Sequence, residues 1–126
     1  MRTNISSGSP REPQLGYSRA VKAGNLVFVA GTTSGAAQGQ TGEAEAVAQT
    51  RVIFEKIEAA LKQAGASFED VVRTRLYLTD MSHFDAVGAV HGEIFGDIRP
   101  VTAVVEVGAL AAPELIVEIE ADAVIL

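Results

Sequence analysis

Hydrophobic positions along this chain switch between a period of two and a period of three to four, and the switches mark out its elements. Residues 19 to 31, Arg19-Ala-Val-Lys-Ala-Gly-Asn-Leu-Val-Phe-Val-Ala-Gly31, read as two short strands around Ala23-Gly24-Asn25, with Gly and Asn supplying the positive φ angles of a tight hairpin. Residues 32 to 42, rich in Thr, Gly, Ala and Gln, have no apolar period and are expected to form a loop. From Glu43 to Ala64 the positions Val47, Thr50, Phe54, Ile57, Leu61 and Ala64 make one stripe of an amphipathic helix. Glu43 and Glu45 suit its positive end, and Gly65 stops it. Val71 to Leu78 alternates as a strand, with Val72, Thr74, Leu76 and Leu78 on one face and Arg73, Arg75 and Tyr77 on the other. After candidate caps at Thr79, Asp80 and Ser82, Phe84, Val87, His91 and Ile94 form a second helical stripe ending at Gly96. Residues 101 to 107 and 115 to 125, β-branched and alternating, predict two closing strands. Residues 1 to 16, rich in Ser, Gly and Pro, predict an irregular lead-in.

The resulting order, β-β-α-β-α-β-β over a single domain of residues 1–126, is an α+β sandwich: a mixed sheet of five or so strands with two helices on one face. The opposite face carries its own signal. Alternation sends Leu115, Val117, Ile119, Ala121 and Ala123 one way and Ile116, Glu118, Glu120, Asp122 and Val124 the other. Likewise Thr102, Val104 and Glu106 share a side opposite Val101, Ala103, Val105 and Val107. A face that mixes Val, Ile and Tyr with acids and arginines is too apolar to be merely solvated. It predicts a subunit interface in a closed symmetric oligomer.

Composition narrows the chemistry. Ten Lys and Arg against sixteen Asp and Glu give a net charge of −6, the wrong sign for capturing a phosphate backbone, so no nucleic-acid partner is expected. The absence of Cys excludes disulfides, thiolate nucleophiles and thiolate metal sites, and two His, at 83 and 91, leave little for another metal centre. No phosphate-loop, Ser–His–Asp or metal-ligand spacing occurs, and neither cofactor nor metal is expected. With no apolar run of about eighteen residues and no apolar leader, the expected location is cytoplasmic, away from membranes.

Several segments together resemble the RidA (YjgF-type) family of reactive-intermediate deaminases. They are Gly16-Tyr17-Ser18, Gly24-Asn25-Leu26-Val27-Phe28-Val29-Ala30-Gly31, Ala64-Gly65-Ala66-Ser67-Phe68-Glu69-Asp70-Val71-Val72, Leu78-Thr79-Asp80-Met81, Phe95-Gly96-Asp97 and Val117-Glu118-Ile119-Glu120-Ala121. The resemblance spans nearly the whole chain. It implies a homotrimer of chorismate-mutase-like fold, sheets inside and helices outside, with sites in the clefts between subunits. It also implies cofactor-free hydrolysis of small enamines or imines to a carbonyl compound and ammonia. Matching residue by residue, Glu118 takes the role of positioning the attacking water, with Glu120 as its companion, and Tyr17 is kept, either as a packing residue or with its hydroxyl reaching the site; Gly31 and Thr32 would offer backbone N–H and hydroxyl groups to a ligand, or form just a bend. The family's carboxylate-binding Arg falls at Thr102, its Ser before the hairpin Gly at Ala30, and its second-helix Asn at Gly88. The chain is therefore identified with an arginine-less subgroup. A Thr hydroxyl offers one neutral donor where an Arg fork offers two charge-assisted ones.

Each candidate has an ordinary alternative. Glu118 on an alternating acidic strand would also keep a sheet soluble. Arg73 and Arg75 suit cross-strand pairing with the acids of the last strand, while Arg75 pointed into the cleft would restore the missing cation. Arg99 lies on the wrong side of its strand to do so. His91, on the apolar stripe, is expected to be a satisfied half-buried histidine. The alternative functions are a non-catalytic trimer that binds a small metabolite as sensor or accessory protein, and an endoribonuclease, which the acidic balance disfavours.

Overall fold

The computed structural model describes all of residues 1–126. Six strands form one sheet: β1 (Arg2–Ile5), β2 (Ala20–Ala23), β3 (Leu26–Thr32), β4 (Val71–Leu78), β5 (Val101–Glu106) and β6 (Val117–Val124), in the order β1-β2-β3-β6-β4-β5. The helices are a single turn and a half, α1 (Arg11–Leu15), and two longer ones, α2 (Gly42–Gln63) and α3 (Phe84–Phe95). All pairs are antiparallel except β4 with β5, which are parallel and joined through α3. Strands β3 and β4 both run antiparallel to β6 between them, so α2 is also the crossover of a βαβ unit. Both crossovers lay their helices on the same face, and the other face is left bare.

The core lies between that helix layer and the sheet. Ile53, Ile57 and Leu61 of α2 and Val87 and Val90 of α3 pack onto Val27, Leu76, Leu78, Val117 and Ile119, all essentially without solvent exposure. Phe54, Phe68 and Phe95 meet edge to face at 5.5–6.2 Å between ring centres, closing the gap between the helices. Along β6 buried and half-buried residues alternate without a break, so the face assigned from alternation is the face observed.

The structure departs from the expected pattern at three places. The lead-in is ordered: β1 pairs with β2 from Arg2↔Ala23 to Ile5↔Ala20, and buried Glu12 on α1 accepts hydrogen bonds from the Ser7 amide (3.1 Å) and hydroxyl (2.5 Å). Its only buried apolar residue is Ile5, too little to betray a strand by periodicity. The hairpin loop is Gly24-Asn25, but Gly24 alone takes positive φ (61°), the pattern of a turn whose first central residue must be glycine. Finally, a bulge between Val71 and Arg73 puts Val71 into the core and leaves Val72 47% exposed, reversing the expected sides of these two residues.

Candidate functional site

The bare face of the sheet gathers most of the candidate side chains. Alternation along β6 projects Glu118, Glu120 and Asp122 from it, and the register brings Arg73, Arg75 and Tyr77 of β4 opposite Asp122, Glu120 and Glu118. The acids then diverge in their commitments. Glu120 accepts a hydrogen bond from the Tyr77 hydroxyl at 2.6 Å and another from Arg75 at 3.3 Å. Asp122 lies 3.5 Å from the Arg75 guanidinium and 4.0 Å from that of Arg73. The hydrogen bond to Glu120 is the main reason the Tyr77 phenol is held above its usual range. Arg75 is therefore a cross-strand partner of two acids, and its charge is spent there.

Glu118 is different. It is half-buried, its carboxylate takes no hydrogen bond from any group of the chain, and no buried polar side-chain atom lacks a partner, so its oxygens lie open to solvent. Its pKa is raised, first by burial and then by the neighbouring Glu120, with the charge of Arg19 pulling back. The space it occupies exists because residue 31 is glycine. A Cβ at Gly31 would sit 2.7 Å from Glu118 Oε2, closer than two such atoms approach. The β3–β6 register shifts between Val29 and Thr32, and the displaced Gly31 is where the carboxylate leans on the backbone.

Beside them sits an arginine that the sequence pattern marked only as the start of a hairpin. Arg19 directs Nη1 to the Gly31 carbonyl and the Thr32 hydroxyl, both at 2.9 Å, and Nη2 to the Tyr17 hydroxyl at 3.2 Å, with its guanidinium carbon 5.5 Å from the centre of the Tyr17 ring. Tyr17, Gly31 and Thr32 thus come together around Arg19 and Glu118. Thr32 itself is buried, and its hydroxyl donates to the Ala30 carbonyl at 2.8 Å, so it braces the arginine from behind. The signal in the sequence was the parity of Arg19 with Val21, opposite to buried Ala20; nothing local disclosed which backbone the side chain would grip.

Thr102 is not part of this group. Its parallel register partner is Thr74, whose hydroxyl donates to Thr102 Oγ1 at 2.7 Å while its oxygen lies 2.8 Å from His91 Nε2. Thr74 is wholly buried on the helix side, so Thr102 faces the helices, across the sheet from Glu118. Thr74 thus links Thr102 and His91 in one hydrogen-bonded chain, and burial lowers the pKa of the imidazole. His91 is thus the satisfied, half-buried histidine its place on the stripe predicts. A hollow of about 650 Å³ opens on the bare face between the lead-in and β6, bordered by Asn4, Glu12, Tyr17, Phe28, Ala30 and Glu120.

A mixed sheet with helices on one side, and an uncommitted carboxylate beside a fixed arginine on the other, defines a small α+β protein with its candidate site on the sheet face. The sequence model of the family described as endoribonuclease L-PSP matches residues 9–125, and the chain belongs to this family, the RidA/YjgF family. A solved Mycobacterium tuberculosis structure of the YjgF/YER057c/UK114 family is 56% identical, covers 99% of this chain and 100% of its own, and superposes with a TM-score of 0.89. A RutC family protein of Pyrococcus horikoshii is 37% identical over 126 residues, 98% of each chain. The 3-aminoacrylate deaminase RutC of Acinetobacter baylyi is 34% identical over 116 residues, 91% of this chain and 90% of its own. No helix is long and apolar enough to cross a membrane.

Proposed function

We propose that the protein is a cofactor-free deaminase that hydrolyses a small imine or enamine to a carbonyl compound and ammonia, with Glu118 acting on the attacking water. The observation that carries this reading is the Glu118 carboxylate: half-buried, free of any hydrogen bond within the chain, and raised in pKa in a place that a side chain at Gly31 would contest. An acid of raised pKa exchanges protons closer to neutral pH than an ordinary carboxylate. In the reaction Glu118 takes a proton from water as the oxygen bonds to the imine carbon. The nitrogen takes up that proton to give the tetrahedral carbinolamine; the hydroxyl proton of this adduct then passes through Glu118 to the nitrogen as the carbon–oxygen double bond forms and the carbon–nitrogen bond breaks, leaving carbonyl and ammonia. One water is consumed for each ammonia released. The similarity to a named 3-aminoacrylate deaminase supports the reaction class.

The site is proposed to be completed in a homotrimer, across a cleft between subunits. Phe28, Val101 and Val105 stand 46, 58 and 44% exposed on the same bare face, which is the kind of apolar surface a neighbouring subunit covers. Ribonuclease activity, which the family description names, gains no support here, because the arginines of β4 are paired with acids and the net charge is −6. The deciding experiment supplies a panel of imines generated in situ by an amino-acid oxidase and follows ammonia release. Acceleration by the wild type that falls by about two powers of ten or more in Glu118→Gln is expected. No acceleration with any imine, from folded protein, would leave the alternative of a non-catalytic metabolite-binding protein.

A further inference from the structure

Arg19 is a half-buried cation with no anion. No carboxylate lies within 4.0 Å of its nitrogens. Its bonded partners are all neutral: the Gly31 carbonyl, the Thr32 hydroxyl and the Tyr17 hydroxyl. A guanidinium has five N–H donors, and these three bonds leave Nε–H and one Nη2–H without an acceptor. Every buried polar side-chain atom in the chain has a partner, so the free Nε–H is open to solvent. The acids near enough to interact electrostatically with Arg19 do not satisfy it. Glu12 is engaged by Ser7, and Glu118 is itself biased toward its neutral form by burial.

A second cation stands nearby. The Lys56 ammonium is held against the Thr33 carbonyl at 3.0 Å, and its pKa is lowered, first by burial and then by the charge of Arg19. Both cations lie in the same part of the molecule, and neither has an anion within ion-pair distance. A planar fork fixed by three hydrogen bonds, with its Nε–H open to solvent, is pre-organised for a carboxylate.

We propose that Arg19 is the anion-binding residue of this site, taking the carboxylate of a 2-imino acid while its reacting carbon lies toward Glu118. This assignment rests on the deaminase reading for the identity of the substrate, but the binding of a carboxylate to Arg19 does not depend on catalysis. It also accounts for Thr102. With the cation supplied from the start of β2, the edge strand β5 has no need of one, and its position 102 is free to join the buried Thr74–His91 chain.

The test is calorimetric titration of the full chain with pyruvate, the stable product analogue, and with pyruvamide, its neutral counterpart, for wild type, Arg19→Gln, Arg19→Lys and Glu118→Gln. Wild type is expected to prefer pyruvate. Arg19→Gln should lose at least about tenfold in pyruvate affinity with pyruvamide unchanged, Arg19→Lys should recover part of it, and Glu118→Gln should keep it. A variant that merely misfolds would lose both ligands, and its circular dichroism and melting curve would show it. In that case the preference of wild-type binding for pyruvate, and its loss on blocking arginines with phenylglyoxal at residue 19, located by peptide mass, decide the matter. Equal affinity for both ligands, or pyruvate binding that survives Arg19→Gln, overturns the assignment. Wild type that binds pyruvate through Arg19 yet hydrolyses no imine overturns only the deaminase reading. Hydrolysis whose preference for anionic imines survives in Arg19→Gln overturns only the role of Arg19.

Discussion

Glu118 is held in the folded chain at a cost to stability, because burial and Glu120 both disfavour its ionised form. The sign of the linkage follows. A folded pKa above the unfolded one leaves the fold unpenalised at acid pH, where both states are protonated, and weakens it as pH rises through the folded pKa. Glu118→Gln should therefore raise the melting temperature at about pH 8 and leave it unchanged near about pH 3, while abolishing hydrolysis. An equal shift at both pH values would mean that the gain comes from packing and not from removed charge. The same pKa predicts that the rate rises with pH through a value above the ordinary carboxylate range, measurable as kcat against pH. Gly31 gives a sharper probe. In Gly31→Ala the new methyl displaces the far end of a flexible side chain, so the fold should survive with a loss of about 1 kcal/mol or less while activity falls by tenfold or more. Comparable loss of both in urea titrations and rate assays would make Gly31 a structural residue only.

At the scale of elements, legibility followed how local the cause was. Strand β4 from Arg73 onward and the ends of α2 were readable because their patterns are set within a few residues, and Gly65, at φ 82°, stops α2 as its identity predicts. Strand β1 was not, since four residues with one buried side chain become a strand only when β2 is there to pair with. The side of the sheet that Thr102 takes was not legible, because alternation fixes which residues of a strand share a face, and not which face it is. That choice is made by the parallel pairing of Thr102 with Thr74, a long-range fact. The start of β6 has a long-range support of its own. Gln49 of α2 is fully buried and clamps the strand's approach, giving Nε2 to the Glu114 carbonyl at 2.8 Å and to Glu45 at 2.7 Å, and taking the Ile116 amide on Oε1 at 3.0 Å. Gln49→Leu leaves the part-buried Glu114 carbonyl and Ile116 amide without this partner and should cost about 1–3 kcal/mol in a denaturant titration, with hydrolysis reduced because the lead-in to Glu118 is freed. A change below about 0.5 kcal/mol would show that solvent replaces the amide.

For the whole molecule the question is whether one subunit makes a complete site. Strand β5 ends the sheet with its outer edge unpaired, and Val101 and Val105 stand exposed on it beside Ala103. An apolar edge of that kind on a free chain invites association, which proteins prevent with charge or cover with a partner. Here the acids are concentrated on β6, two strands inward, where Arg73 and Arg75 partly neutralise them, and the edge strand carries a single acid, Glu106, at its end, bonded to the Met81 amide. Covering Val105 and Phe28 by neighbouring copies would also dry the surroundings of Glu118 further and raise its pKa beyond what one subunit achieves. The protein is therefore expected to elute, by light scattering, at about three times the 13.2 kDa of one chain. Val105→Glu should shift it toward monomer, since a charge cannot be buried unpaired in such a contact. The monomer should keep its helices and its buried core, because the Val105 side chain lies outside that core, but lose hydrolysis and move the pH profile of any residual activity toward the ordinary carboxylate range. Full activity in a Val105→Glu monomer would place the entire site within one subunit, and the bare sheet face would then be a binding surface in its own right.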